Sequence, residues 1–172
     1  EGFPAAMQDQ MNAMWAAKLG LNHHNDELLQ ELLQLLMSSR ADYCKTFRSL
    51  SSIPETVAEL QDSFYLPCPD ELKPRWDSWL KRWRGVLSAQ GSLVAAAEAM
   101  AQVNPAITWR EWLVAPAYQQ AEQGDYGLIA DLQKVFLSPY ATPPNDQAER
   151  MDQLKPREFF NAGGVSHYSC SS

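Results

Sequence analysis

The sequence has few of the residues that staple small proteins or bind metals, with three cysteines and three histidines among 172 residues. Cys44, Cys68 and Cys170 are odd in number and far apart. That spacing fits neither a disulfide framework nor a C-x-x-C metal site. We therefore expect a protein of a reducing compartment rather than a secreted one.

Long apolar runs and an excess of basic residues are also missing. No apolar run reaches the roughly 18 residues of a membrane-spanning helix, and the start has no basic segment followed by an apolar one. The first residue is Glu1 rather than methionine, which fits a processed product or an excised piece. The net charge of −7 argues against a nucleic-acid partner, because Lys81, Arg82 and Arg84 form the one local basic cluster. We expect neither nucleic acid nor membrane as a partner.

Familiar catalytic motifs are absent from the sequence. There is no phosphate-binding glycine loop, no H-E-x-x-H and no G-x-S-x-G. His23 and His24 are adjacent, which is poor geometry for two ligands of one metal, so a solvated loop is the favoured interpretation. His167 stands three residues before Cys170, but nothing local would fix the two side chains as a catalytic pair. We predict no catalytic, cofactor-binding or metal-binding residue in this chain.

What the sequence does contain is helical periodicity. Apolar residues recur at steps of three and four, and no convincing period of two appears, so we predict an all-α fold. We expect a multi-helix bundle or helical array over residues 1–137 and a long irregular tail over residues 138–172. The apolar positions that define the first two helices are Met7, Met11, Met14, Trp15 and Leu19, and then Leu28, Leu29, Leu32, Leu33, Leu35, Leu36 and Met37.

Capping residues and breakers predict where the helices begin and end. Asn25 should cap a largely buried second helix, and a short helix should follow Asp42. The other expected boundaries are a helix with Pro54 in its first turn, caps at Asp70 and Thr108, a break near Gly85 or Gly91, a kink or division at Pro116, and a final helix after Gly124 and Asp125.

Tryptophans are the other prominent feature. Trp76, Trp79 and Trp83 share a helical face, and Trp109 and Trp112 recur at a similar step. A ligand-binding groove is one interpretation, but helical spacing favours burial in the core. The nearby Arg75, Arg82 and Arg110 are expected to stack on these rings.

The three cysteines differ in their sequence surroundings. Cys44 on a short amphipathic helix and Cys68 between two prolines are expected to be inert, partly buried thiols. Cys170 lies in the terminal S-C-S-S, where exposure would give oxidants ready access. A redox role and an unselected surface cysteine both remain open from the residues alone.

Several short segments, in order, resemble the C-terminal part of the selenoprotein O family. They are K-L-G-L at 18–21, D-Y-C-x-T-F-R-x-L at 42–50, V-N-P at 103–105, A-E-Q-G-D at 121–125 and the terminal S-C-S-S. The resemblance implies a cysteine-containing member of a family of kinase-like enzymes, or pseudokinases, that transfer AMP from ATP to hydroxyl side chains of proteins. It also implies that ATP and Mg²⁺ are bound upstream, outside these residues, so that this chain alone is inactive.

The resemblance assigns one functional position to this chain. In the family, selenocysteine or cysteine stands where this sequence has Cys170, and it implies a disulfide with a cysteine of the kinase-like part that gates activity. The expected partners are therefore the upstream catalytic lobe and protein substrates, in the cytoplasm or, for a eukaryotic protein, in mitochondria. The alternative is a stand-alone α-helical interaction module without catalysis, whose partner docks on an apolar groove.

Overall fold

The fold is known from a computed structural model that describes residues 2–141 and 151–159. These residues form helices and no strand, apart from one isolated bridge between Ala41 and Phe64. The predicted all-α class is confirmed. The α-helices are α1 (Gly2–Lys18), α2 (Asp26–Ser39), α3 (Tyr43–Leu50), α4 (Lys73–Gln90), α5 (Leu93–Val103), α6 (Glu111–Glu122) and α7 (Gly127–Phe136), with 3₁₀ helices at Val57–Ser63 and Arg157–Phe159.

The chain divides into two compact units, Glu1–Asn104 and Pro105–Ser172. The division falls inside the single helical region that we predicted for residues 1–137. Each unit has its own cluster of buried apolar side chains.

Helix α2 forms where its sequence pattern predicts it. The Asn25 side chain accepts a hydrogen bond from the Leu28 amide at 3.0 Å, which satisfies one of the unpaired donors at the helix start. Leu32 and Leu35 are fully buried, as a leucine-rich helix in the middle of a core requires. Met37 is an exception to the predicted burial, because it lies at the end of the helix and is 81% exposed.

The tryptophans of α4 form the centre of the first unit. Trp76, Trp79 and Trp83 have no exposed surface, which confirms their predicted place in the core. Trp79 donates its indole N–H to the Leu28 carbonyl and Trp83 donates to the Leu19 carbonyl, both at 2.9 Å. These rings therefore fill the core and also bind the backbone of two other elements.

Two predicted boundaries in the first unit are wrong. Asp70 does not cap α4: its carboxylate accepts from Lys73 Nζ, and α4 begins at Lys73 with Pro74 in the first turn, where a missing N–H is tolerated. Pro54 precedes a 3₁₀ helix rather than lying in an α-helix. The break predicted near Gly85 or Gly91 is confirmed at Gly91, because α4 runs through Gly85 and ends at Gln90 before α5 begins.

The expected stacking of arginines on the tryptophans is replaced by ion pairing for Arg82. This side chain lies between Glu27 and Glu31 of α2, and its guanidinium donates to the Glu31 carboxylate. Exposed pairs of this kind contribute little to stability, at most about 1 kcal/mol.

Two glycines of the first unit give a matched test of backbone conformation. Gly20 has φ +68°, and a Cβ there would lie 3.1 Å from Met100 Cγ, whereas Gly85 is helical and a Cβ there would meet nothing within 4 Å. We expect Gly20→Ala to lower the free energy of unfolding by about 1–2 kcal/mol, since strain and crowding add. Gly85→Ala should raise it by about 0.5–1 kcal/mol. Urea unfolding followed by circular dichroism measures both changes. Equal effects of the two substitutions would contradict the different backbone conformations of Gly20 and Gly85.

In the second unit α6 and α7 pack on a small core that includes Leu113, Ala117 and Leu132. Thr108 is not a cap, because α6 begins at Glu111, and Trp109 lies outside the helix and is 66% exposed, contrary to its predicted burial. Helix α6 also continues through Pro116 without division. We attribute this continuity to the buried residues on either side of the proline, whose packing offsets the lost hydrogen bond.

The second unit includes part of the predicted irregular tail. Met151 is buried in its core, and the Phe159 ring lies 6.1 Å from the Trp112 ring. The described part of the tail therefore packs against the α6–α7 pair.

Candidate functional site

Three of the sequence segments that carry the family resemblance meet at one place in the first unit. K-L-G-L ends α1, D-Y-C-x-T-F-R-x-L caps and forms α3, and V-N-P ends α5. We call the place where these segments meet the α1–α3–α5 junction and define it by Lys18, Arg48 and Asn104. The fourth segment, A-E-Q-G-D, ends α6 in the second unit, where Gly124 has φ +85°.

Lys18 and Asn104 make a reciprocal pair across 86 positions of sequence. Lys18 Nζ donates to Asn104 Oδ1 at 2.9 Å, and Asn104 Nδ2 donates back to the Lys18 carbonyl at 2.8 Å. Asn104 has no exposed surface. The pair fixes the end of α1 to the end of α5, and it satisfies a backbone acceptor that no intrahelical donor reaches.

Arg48 of α3 closes the same helix end. Its Nη1 donates to the carbonyls of Ala101 at 2.8 Å and Asn104 at 3.0 Å. A cation beside the last carbonyls of a helix is stabilised by the negative end of the helix dipole. Arg48 therefore acts as a C-terminal cap of α5 supplied by another helix.

Aromatic rings complete the surroundings of Lys18. Its Nζ lies 4.8 Å from the centre of the Phe47 ring and 5.5 Å from that of Tyr43. Burial lowers the pKa of Lys18 from its usual value, and the neighbouring Cys44 thiol opposes this in part. The ammonium is held as a hydrogen-bond donor to an amide and as a partner of two rings, which is a structural arrangement.

The start of α3 is fixed by a second polar residue. Asp42 accepts from the Lys45 amide at 2.9 Å and from the Tyr65 hydroxyl at 3.0 Å, while its own amide donates to the Ser63 carbonyl at 2.7 Å. Because both carboxylate oxygens hold structural hydrogen bonds, Asp42 serves as a helix cap.

Tyr43 gives the junction a measurable dependence on pH. Its ring is 39% exposed, and burial of the rest, followed by the nearby Cys44 thiol, raises the pKa of Tyr43 to about 12. A tyrosine in an unfolded chain titrates near 10, so its contribution to stability is complete below about pH 10 and is lost between about pH 10 and pH 12. Tyr43→Phe should reduce the loss of stability over that interval. An unchanged alkaline unfolding curve in Tyr43→Phe would contradict this.

The histidines and the terminal cysteine considered in the sequence lie partly inside and partly outside the described residues. Cys170, the proposed redox residue, and His167 lie outside them. His23 is exposed, and His24 Nε2 lies 3.7 Å from Asp26 Oδ1, as befits the predicted polar loop.

The other two cysteines lie in different places of the first unit. Cys44 is half-buried and Cys68 is buried, and both thiols are free. Burial raises the pKa of Cys68, so the reactive thiolate is disfavoured there. Cys68 is more buried than the partly buried position predicted for it, and the inertness of both thiols stays a prediction.

Residues 2–141 and 151–159 contain neither a cluster of metal-ligating side chains nor a membrane-spanning helix. Within that part of the chain no group of three or more His, Cys, Asp or Glu side chains is placed to hold a metal ion. No helix in the same ranges is long and apolar enough to cross a bilayer.

An apolar groove lies on the second unit. It has a volume of about 360 Å³ between α6 and α7, and Trp109, Tyr118 and Phe136 contribute its aromatic surface. The Trp109 and Phe136 rings are 5.3 Å apart. The groove is the feature of this unit that best matches the predicted interaction module.

Sequence reasoning did not identify Lys18, Arg48 and Asn104 as a set. All three residues lie inside the motifs that carry the family resemblance. A cation in the last turn of α1 and an asparagine before Pro105 are typical helix-end signals. Their mutual contact depends on tertiary packing that periodicity does not encode.

Comparison with known proteins identifies a family and several relatives of this chain. A family model described as protein adenylyltransferase SelO matches residues 1–136. Protein nucleotidyltransferase YdiU of Methylobacillus flagellatus is 32% identical over 178 residues, covering 99% of this chain and 34% of the relative. YdiU of Tolumonas auensis is 32% identical over 182 residues (100% and 34%), and YdiU of Rhizobium etli is 36% identical over 163 residues (89% and 32%).

The chain thus spans about a third of the length of these curated relatives. The family match runs through both units and includes every residue of the α1–α3–α5 junction. The chain therefore belongs to the protein adenylyltransferase SelO family.

Proposed function

We propose that this chain is the helical region of a SelO-family pseudokinase that transfers AMP from ATP to hydroxyl side chains of proteins. The observation that carries the proposal is the family match over residues 1–136, within which the junction residues have structural partners. In such a reaction the acceptor oxygen bonds to the α-phosphorus of ATP and pyrophosphate leaves. ATP and Mg²⁺ would be bound by the remaining two thirds of the parent protein, by which we mean the complete family polypeptide.

The role that we assign to this chain is structural and regulatory. The Lys18–Asn104 pair and the Arg48 cap hold the ends of three helices together, which provides a rigid body for the catalytic lobe to pack on. Burial of Asn104 and its pairing on both sides make the junction stable without any substrate. We place the parent protein in a reducing compartment such as the cytoplasm, which suits the free thiols of Cys44 and Cys68.

The activity is tested by incubating the parent protein and the 172-residue chain separately with ATP, Mg²⁺ and a protein acceptor. Mass spectrometry of the acceptor reports the addition of AMP to serine, threonine or tyrosine. We expect transfer by the parent protein and none by the chain alone. Absence of transfer by the parent protein over a broad set of acceptors would overturn the proposal.

The regulatory part concerns Cys170. We propose that this thiol forms a disulfide with a cysteine of the catalytic lobe. Two thiols lose two electrons and two protons to a disulfide oxidant such as oxidised glutathione, which is reduced to two thiols. The oxidised and reduced parent proteins should then differ in AMP transfer.

Cys170→Ser should remove this difference between the oxidised and reduced proteins. Cys44→Ser is the matched control, because it removes a half-buried thiol of α3 and should leave the redox response intact. A redox response that survives in Cys170→Ser would exclude the disulfide.

The alternative is a stand-alone α-helical interaction module. The apolar groove between α6 and α7 favours it, since exposed apolar concavities often receive an amphipathic segment. In that case the 172-residue chain should bind its partner with the same affinity as any longer polypeptide that contains it. Binding that requires the rest of the parent protein would exclude the module.

A further inference from the structure

Helix α1 begins with about three turns that have no packing in the described structure. Every residue from Gly2 to Met11 is exposed, Asn12 and Trp15 are partly buried, and the first buried residue is Ala16 near the helix end. A helical segment of about ten residues is marginal in water by itself, because nucleation is unfavourable and tertiary packing supplies most helix stability. The first turns of α1 therefore need a surface to lie on.

One face of these turns has the composition of a contact surface. Phe3, Met7, Met11 and Met14 are exposed by 81%, 55%, 41% and 44%. At 3.6 residues per turn they fall within an arc of about 80° on the helix. We call these four side chains the α1 stripe.

The chemistry of the helix points to an apolar partner. Between Gly2 and Ala17 the only charged side chain is that of Asp9, and the remaining polar groups are side-chain amides and the Trp15 indole. A solvated helix face usually carries charges of both signs, whereas uncharged faces with Met and Phe are typical of packed contacts. The α1 stripe is also continuous in chemistry with Trp15, which packs edge to face on Tyr43 of α3.

The size of the stripe limits the choice of partner. Four side chains of this kind, exposed to this extent, offer about 400 Å² of surface. A stable dimer needs about 800 Å² from each subunit, so a second copy of this chain is poorly matched to the α1 stripe alone. A segment of the same polypeptide needs much less, because its effective concentration is high.

We propose that the α1 stripe is the docking surface for the part of the parent polypeptide that lies outside these 172 residues. The relatives are about three times the length of their match to this chain, so about two thirds of such a polypeptide is available to cover the stripe. This inference rests on the proposed function only in taking that remaining part as the occupant. The proposed contact consists of the four side chains of the α1 stripe and an apolar surface on the remaining part of the polypeptide.

Methionine oxidation tests the proposal on native residues. Hydrogen peroxide transfers an oxygen atom to each accessible thioether, and peptide mass spectrometry gives a rate for each methionine. In the parent protein, Met7, Met11 and Met14 should react at least about tenfold more slowly than in the same protein unfolded in urea. Met100, which has no exposed surface, is the internal reference for protection, and in the 172-residue chain Met37 is the reference for exposure.

The outcomes of the oxidation experiment distinguish between the possible occupants of the α1 stripe. In the 172-residue chain the stripe should react as fast as Met37, while Met100 stays protected. Stripe methionines that react in the parent protein at their unfolded rate would overturn the proposal. Protection in the chain alone would overturn it too, and would identify a second copy if it grows with protein concentration, or the chain's own residues if it does not.

A paired substitution adds a functional measurement. Met7→Glu with Met11→Glu places two charges in the proposed contact, whereas Gln8→Glu with Asn12→Glu places the same charges on another side of α1. Only the first pair should increase proteolysis of the parent protein near α1. Because oxidation and proteolysis are read without AMP transfer, an inactive parent protein with a protected stripe would reject the proposed function and retain this inference.

Discussion

Trp83→Ala is expected to lower the free energy of unfolding of the first unit by about 3–5 kcal/mol. The indole has no exposed surface and stacks on Trp79 with ring centres 5.6 Å apart. Its removal leaves a large cavity beside a ring pair and deprives the Leu19 carbonyl of its donor. The unpaired Leu19 carbonyl contributes about 1–3 kcal/mol to the loss. This figure includes some relaxation of the core.

Two variants separate the causes of this loss. Trp83→Phe keeps most of the ring volume and loses the N–H, so it should lie between the wild type and Trp83→Ala. Met37→Ala removes an exposed side chain of α2 and should change stability by less than about 0.5 kcal/mol. Urea unfolding followed by circular dichroism gives all three values. A loss below about 1 kcal/mol for Trp83→Ala would contradict the central place of the α4 tryptophans.

Asn104→Ala is expected to have the next largest effect, a loss of about 2–3 kcal/mol. The change removes the acceptor of Lys18 Nζ and the donor to the Lys18 carbonyl at once. The ammonium is half-buried against Phe47 and Tyr43, so water replaces the lost amide oxygen only in part. The loss should exceed that of an ordinary hydrogen bond, which is about 1 kcal/mol.

Gln102→Ala is the matched control for Asn104→Ala, since it shortens an exposed amide two positions away on α5. Its stability should stay within about 0.5 kcal/mol of the wild type. Combining Asn104→Ala with Lys18→Met forms a double-mutant cycle that isolates the pair. Additive losses in that cycle would show that the two side chains do not stabilise each other.

The parts of the fold that local signals encode could be predicted from the sequence. Helix α2 combines an asparagine cap with a dense leucine pattern, and the tryptophans of α4 recur at helical spacing. Both signals act within one or two turns of helix. The confirmed all-α class depends on the same kind of signal.

The predictions that failed depended on competition between partners. Asp70 has the side chain of a cap, but Lys73 takes its carboxylate and Pro74 fixes a later helix start. The three-residue step between Trp109 and Trp112 predicts burial of both, yet Trp109 lies before α6 and is exposed. At Pro116, where a kink or a division was expected, the division is absent, because the buried neighbours in α6 keep the helix continuous.

The junction was beyond sequence reasoning for a related reason. Lys18, Arg48 and Asn104 come from three helices, and each has an ordinary local explanation. Their assembly depends on where α1, α3 and α5 come to lie after packing. The family resemblance marked the segments, and the structure gives the contacts that connect them.

The hydrogen bond between Lys18 and Asn104 also has a consequence for the order of events during synthesis. Its two residues are 86 positions apart, and Asn104 is the last residue of the first unit. The whole of this unit must therefore emerge from the ribosome before the hydrogen bond that fixes the end of α1 can form. Until then the nascent chain exposes the apolar surface that Met100 and the α4 tryptophans later cover. We expect chaperones to bind the nascent chain during this interval.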